Sequence, residues 1–384
     1  MKNHKNPVAS CDGRALLMLV SALLGSSACG SVGQAADEEE FNGETASAQD
    51  ELRCAESDWW EGTGLGLLDD WPGESIAMGI NEQRTVVGLS QQFVRPNDGW
   101  VHAFRWKRQT GMVDLGTLGG SYSEASDVNE REEVTGYAST PNESRHAVVW
   151  DAQNRIHSLY DFRGQSSFAM AINNRGQVVG IYETGSSQYS PFIWDAETGL
   201  VEIPVPTLTA VPADINDSGT VVGGLLGYYG YPVPFKWTKE GGVVELDLLG
   251  ATAGEATGIN DRGEIVGCVF DHDQVEVRVA AKWTDHGAWR LPNAPTRTRA
   301  FPKAINRFGL VVGEDATVTL PKAALRWDKS GPLRPSLSAG PDDSRAYDVN
   351  DRSDIVGASL IGDVSRATLW TRRASGRAPF QAHR

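Results

Sequence analysis

Long hydrophobic runs are nearly missing from this 384-residue chain. The one apolar stretch, residues 15–24 (ALLMLVSALL), is too short to span a bilayer, which takes about 20 residues of helix. Cysteine is scarce: Cys11, Cys29, Cys54 and Cys268 are the whole supply, too few for a disulfide scaffold. The 7 histidines show no H-x-x-x-H spacing and the cysteines no C-x-x-C, which removes the common zinc motifs. No G-x-S-x-G and no ordered Ser/His/Asp set is present, so hydrolysis by a serine nucleophile has no signature. Apolar residues never recur at helical spacing over ten or more positions, which excludes a helical repeat. Basic residues are also in deficit, 35 against 50 acidic, and a net charge of -15 makes nucleic acid a poor partner.

The N-terminus carries an address. Lys2, Lys5 and Arg14 precede the apolar stretch, and small residues 25–28 lead to Cys29. That arrangement is a signal peptide, residues 1–28. Ser26-Ser27-Ala28-Cys29 resembles a bacterial lipobox, which implies lipidation of Cys29; Ser26 stands where that pattern favours leucine, and ordinary cleavage after Ala28 is the alternative. Gly30 follows the cysteine, as in lipoproteins sent to the outer membrane. Periplasmic or secreted destinations stay open. Residues 29–57 are rich in Glu, Ala, Ser and Gly and read as an acidic flexible tether. Of the remaining cysteines, Cys54 and Cys268 could pair in an oxidising compartment or stand as independent thiols.

From residue 58 to 373 one unit recurs seven times. Residues 256–267, A-T-G-I-N-D-R-G-E-I-V-G, show it best: Ile or Val, then Asn, then a glycine seven residues later. The asparagines are Asn81, Asn129, Asn173, Asn216, Asn260, Asn306 and Asn350, spaced 43 to 48 residues apart. A tryptophan follows each by 20 to 25 residues: Trp106, Trp150, Trp194, Trp237, Trp283, Trp327 and Trp370. Each period holds four short strands, here lettered A to D: A ends at the Asn, B is the V-V-G run, C carries the Trp, and D follows a polar turn. Four strands per period of about 44 residues predict an all-β, seven-bladed β-propeller. The chain lacks a strand D after Trp370. Residues 62–70 (GTGLGLLDD) look like residues 111–119 (GMVDLGTLG), so an N-terminal strand at 64–68 is expected to pair with 368–371 and close the ring. Residues 374–384 are expected to be a disordered tail.

Packing accounts for the recurrent residues. Strand A lies nearest the axis, where crowding favours small side chains four and two positions before each Asn. The Asn oxygen is expected to fold onto the following turn, and the Gly three later to supply positive φ. Arg84, Glu132 and Ser353 replace that Gly, so those turns should be strained or of another type.

The sequence I-N-x-x-G-x-V-V-G, then His102–Trp106 (H-A-F-R-W) and D-L-G-T-L-G-G at residues 114–120, resembles the HAF-repeat proteins, predicted extracellular proteins of bacteria. Residues 146–150 keep part of it; later repeats retain the hairpin and lose the His. The resemblance implies export and a repeat β fold, and it brings no catalytic residues, so none is assigned.

Function is therefore sought where repeats differ. The A–B turns are short and uniform, whereas the B–C segments vary and carry aromatics: Trp100, Tyr182, Tyr189, Tyr228, Tyr229, Tyr231 and Phe270 are the candidate ligand-binding residues. They suit a glycan or protein partner, or else cover blade edges. Asp271 and Asp273, flanking His272, are the weak metal candidates, and no cofactor is expected. Asp127, Asp214 and Asp348 on strand A could face the central channel as acids of a polysaccharide hydrolase or lyase; the alternative is that they bond adjacent blades. The reading is a monomeric, non-catalytic binding module, touching a membrane only through its lipid anchor. A polysaccharide-acting enzyme and a structural envelope protein are its alternatives.

Overall fold

The computed structural model describes residues 59–68, 72–93, 100–159, 165–185, 188–206, 209–226, 230–274, 277–292, 299–315, 323–328, 331–333, 343–362 and 364–373. These form seven four-stranded antiparallel sheets, each taken in chain order except the last. In blade 5, strand A is Ala253–Ile259, B is Ile265–Phe270, C is Val279–Thr284 and D is Gly287–Arg290. Strand B reads as unbroken valine or isoleucine because blades pack on both its faces; Val86, Val87, Val221 and Val222 are all fully buried. Strands D of blades 1 to 6, at the outside, are three or four residues long and part exposed where described, as short edges should be. The repeated tryptophans wedge between blades: Trp150, Trp237, Trp283, Trp327 and Trp370 are buried, while Trp106 and Trp194 are half-buried.

Blade 7 takes its outer strand from the other end of the chain. Strands A, B and C of that blade are Ser344–Val349, Ile355–Ile361 and Val364–Arg373, and Trp59–Gly64 pairs antiparallel with the third. Closure from the N-terminus is thus as expected, but the register is not. Trp59↔Arg373 to Gly64↔Thr368 are the partners, so the strand lies earlier than residues 64–68. The reason is that Leu65 corresponds to Leu115: their amides bond Ala367 O and Ala103 O, both where the ladder ends. The L-G pair marks the exit from strand D, and the sequence comparison had taken it as strand. Trp60, 2 % exposed, locks the closure by donating its indole N–H to Ser353 O at 3.0 Å.

Every strand A carries a bulge between the positions four and two before its Asn, as at Ala256/Gly258. The bulge explains the glycine of strand B. A Cβ on Gly267 would meet Glu255 O at 2.0 Å, and the six equivalent glycines show 1.8 to 2.1 Å. No other residue fits. The bulge also corrects the expectation of small side chains at the axis. The extra residue, three before the Asn, lines the axial cavity, and Met78, Met170, Lys303 and Tyr347 occupy that place.

The asparagines do more than shape their turns. Each Oδ1 accepts two amide bonds from its own turn, as Asn173 does from Arg175 N and Gln177 N at 3.1 and 2.9 Å. Each Nδ2 then donates to the backbone oxygen of the next blade's asparagine. The sequence of bonds runs Asn81, Asn129, Asn173, Asn216, Asn260, Asn306, Asn350 and back to Asn81, all at 3.0 to 3.1 Å. Arg84, Glu132 and Ser353 hold the same turn as glycine does, at φ 61°, 63° and 65°, so the turn type is common to all seven. Strain is the part of the expectation that holds, about 1–2 kcal/mol each.

Two tests follow from this geometry. Asn173→Ala leaves the part-buried amides of Arg175 and Gln177 without an acceptor and removes one of the two donors to Asn216 O, and should cost on the order of 2 kcal/mol in denaturant unfolding. Asn174→Ala, one residue along and exposed, should cost under about 1 kcal/mol. A chain cut to residues 66–384 loses the closing strand and should melt several degrees below residues 58–384, or aggregate through the bared edge; equal melting temperatures would deny the closure.

Candidate functional site

The axis can be followed in layers from the A–B turns to the opposite end. The first layer is the residue after each asparagine: Glu82, Glu130, Asn174, Asp217, Asp261, Arg307 and Asp351. Its side chains accept from the preceding blade's amide at the same position, as Asp261 Oδ1 does from Asp217 N at 2.9 Å. Six of the seven links exist, and the one into blade 6 is broken because Arg307 has no acceptor. Below lie the asparagine ring and a layer of Ile and Val, which together enclose a cup of about 480 Å³.

Next come the three aspartates. Asp127 Oδ1 accepts from Val128 N at 2.7 Å and its Oδ2 from Ile172 N, one blade on, at 2.9 Å. Asp214 bonds Ile215 N and Ile259 N, and Asp348 bonds Val349 N and Ile80 N, in the same way. Each therefore staples two blades, which is the alternative to a catalytic role weighed above. They share an axial cavity of about 140 Å³ with Lys303 and Tyr347. That lies below the roughly 300 Å³ at which ligand pockets begin. Burial, with repulsion from Asp127 next, pushes the carboxyls of Asp214 and Asp348 up to about 7, and burial raises Asp127 as well.

At the far end of strand A the blades stop resembling one another. Five residues before the asparagine, and across from it on strand B, stand Ile76/Leu89, Glu124/Tyr137, Phe168/Ile181, Val211/Gly224, Glu255/Cys268, Phe301/Glu314 and Arg345/Ala358. Three polar clusters result. Glu124, 1 % exposed, takes the hydroxyls of Tyr122 and Tyr137 on Oε2, each at 2.8 Å, while Arg145 covers the Tyr122 ring at 4.5 Å. Its Oε1 is buried without a hydrogen-bond partner, and burial raises its pKa. Glu255 accepts from Arg278 at 2.6 Å; beside them Cys268 is a free buried thiol pushed up to about 12 by burial. Glu314 lies 3.6 Å from Lys303 Nζ and 3.8 Å from Arg345 Nε, beyond hydrogen-bond reach, and its Oε2 is a second buried oxygen with no hydrogen bond.

The aromatic candidates fare unevenly. Tyr231 is exposed, its ring 5.6 Å from that of His272. Trp100 and Tyr182 are half-buried, the first against His102 and the second donating to Glu202 Oε2 at 3.2 Å. Tyr189 and Phe270 are corrections. Tyr189 is 6 % exposed in a cluster with Tyr137, Phe168 and Ile181, and Phe270 is 3 % exposed under the Arg278 guanidinium, so both rings are core. Tyr228, Tyr229, Cys29, Cys54, the signal peptide, the tether and the tail lie outside the described residues. Asp271 and Asp273 sit in an exposed turn, where Asp271 Oδ1 accepts from Thr252 N at 3.2 Å. Among the described residues no cluster of three His, Cys, Asp or Glu gathers there or elsewhere. The sequence reading passed over Glu124, Lys303, Glu314 and Arg345. Their signal was present: aligned on the asparagines, they hold positions that are apolar or small in most other blades.

No family description and no curated protein matches the sequence. Solved structures do match in fold. The β-propeller domain of the Trilobed protease from Pyrococcus furiosus, which has an open velcro topology, aligns over 77% of this chain and 93% of that domain at 10% identity, TM-score 0.54. A puromycin-hydrolyzing peptidase of Mycobacterium tuberculosis aligns over 82% of this chain and 56% of its own at 10% identity, TM-score 0.56. An acylaminoacyl peptidase of Pyrococcus horikoshii gives 79%, 52%, 11% and 0.54. This chain spans about half the length of those two peptidases. At such identity the likeness is one of fold.

The channel aspartates set a pH dependence. With folded values near 7 against about 3.8 unfolded, the folded state holds extra protons between those limits. The stability they lend is complete below the unfolded value and is lost as pH rises through about 7. Unfolding followed from pH 5 to 8 should show a decline of a few kcal/mol at most, and Asp214→Asn should reduce it by about half, since Asp348 carries the same shift.

Proposed function

We propose that this chain is an exported, non-catalytic binding module whose glycan or protein partner meets the B–C/D–A face. One observation carries the reading: at that end of the axis unlike polar residues replace the uniform rings, and Glu124 Oε1 and Glu314 Oε2 lie buried without hydrogen-bond partners. Buried carboxylate oxygens are almost always hydrogen-bonded, so an end of the axis that leaves two without such bonds is the end less committed to its own contacts. The same face presents Phe93, Tyr231, Val277 and Ile361, each more than a third exposed. Around the other end the asparagines and the residues after them are committed to neighbouring blades. The enzyme alternative loses its acids, because the three channel aspartates bond backbone amides with both oxygens in a cavity too small for a sugar ring.

The signal-like residues 1–28, the lipobox-like Cys29 and the resemblance to HAF-repeat proteins support an address at the cell envelope, with the lipid as the only membrane contact. A glycan array probed with the full chain should give retained ligands, and Phe93→Ala/Tyr231→Ala should weaken them about tenfold or more at unchanged melting temperature. Unaltered retention in that variant refutes the face assignment. Cys29→Ser should move the protein from the membrane to the soluble fraction; membrane retention equal to wild type excludes acyl anchoring.

A further inference from the structure

The seam where the ring closes holds a cleft that its counterpart elsewhere does not match in chemistry. Between blades 7 and 1 a cavity of about 720 Å³ is walled by the closing strand on one side and by Trp106 and the A–B and C–D turns of blade 1 on the other. Its charged lining is Arg84, Lys107, Arg108 and Arg352 against the single carboxylate Glu61. The counterpart between blades 2 and 3, about 450 Å³, has Trp194 in place of Trp106 and Asp195-Ala196-Glu197 in place of Lys107-Arg108-Gln109. There two arginines, Arg131 and Arg175, face three carboxylates, Glu133, Asp195 and Glu197. The charged residues that line the two clefts are thus mostly cationic at the seam and mostly anionic at its counterpart.

The seam cations are held in place without being hidden. Arg84 Nε lies 2.6 Å from Asp354 Oδ2, Lys107 Nζ 2.9 Å from Glu132 Oε2 and Arg352 Nε 3.6 Å from Glu82 Oε2. Their side chains remain 44 %, 38 % and 58 % exposed, and Arg108 is exposed beside them. Arg84 stands where four blades use glycine, so the cleft gains a guanidinium at the expense of a strained turn. Asp354, Glu132 and Glu82 balance three of the four cations at short range, so the uncompensated positive charge at the mouth of the cleft is that of Arg108.

We propose that the seam cleft binds a carboxylated saccharide of one or two rings, a uronic acid unit in chemical terms. Lys107 and Arg108 receive the carboxylate, Trp106 supplies an aromatic wall for the C–H face of the ring, and the amides of Gln83 and Gln109 serve its hydroxyls. The volume suits a small organic ligand, for which pockets run about 300–1,000 Å³, and a bare inorganic ion would leave most of it empty. This inference is independent of the partner face proposed above, which lies at the other end of the blades. Because Glu61 and Thr63 of the closing strand form one wall, occupancy also favours the closed ring and raises its melting temperature.

The test is calorimetric titration of the full chain with digalacturonate, with its neutral counterpart galactobiose and with inorganic phosphate. Digalacturonate is expected to bind and to raise the melting temperature, and binding should fall about tenfold or more in Arg108→Glu/Arg352→Gln. Arg108→Gln, which adds no new charge, should fall in the same direction. Phe93→Ala/Tyr231→Ala should leave this binding unchanged, which separates the seam from the opposite face. The proposal is overturned if digalacturonate does not bind, if galactobiose or phosphate binds as well, or if the Arg108 variants keep wild-type affinity.

Discussion

Seven asparagine side chains, each bonded to the next blade, are the constraint on which the rest of this structure depends. One amide shapes its own turn through Oδ1 and joins the neighbour through Nδ2, and Asn350 returns the bond to Asn81. A cyclic arrangement of that kind can close only if every blade presents its turn at the same height and angle. A net gain of about 1 kcal/mol per bond is modest; the larger effect is the cost of leaving any of these buried groups unpaired. The bulge and the strand B glycine follow from the same demand, since strands A and B approach too closely for a Cβ at Gly267.

That constraint also sorts the surface. The A–B end is held by two concentric sets of inter-blade bonds, the second interrupted only at Arg307. Three aspartates beneath add staples between blades 2 and 3, 4 and 5, and 7 and 1. Carboxylates near neutrality in a central channel resemble catalytic acids until their partners are counted. What is left free to vary is the far end of strand A and the clefts between outer strands, and in both places the chain departs from its own repeat.

Much of the fold was legible because its signals are local. The asparagine turn, the tryptophan of strand C and the missing last strand lie within one period, and each prescribes a conformation through its neighbours in sequence. The register of the closing strand was misread because L-G at 65–66 resembles a strand and serves as an exit turn. Tyr189 and Phe270 were misread because an aromatic in a variable segment gives no sign of which neighbouring blade covers it. Glu314 belonged to no motif; its burial beside Lys303 and Arg345, the latter from the next blade, is visible only in the fold.

The sequence by itself determined that there are seven blades, where each turns, and which residue types the turns require, since those follow from backbone geometry within about 44 residues. The tertiary structure decided everything that passes between blades. The Nδ2 of the asparagine, both oxygens of each channel aspartate and the cations of the seam find partners or open space only when segments 43 or more residues apart are set side by side. The repeated unit thus fixed the scaffold, and the scaffold holds unlike residues at the far rim and the seam in fixed positions.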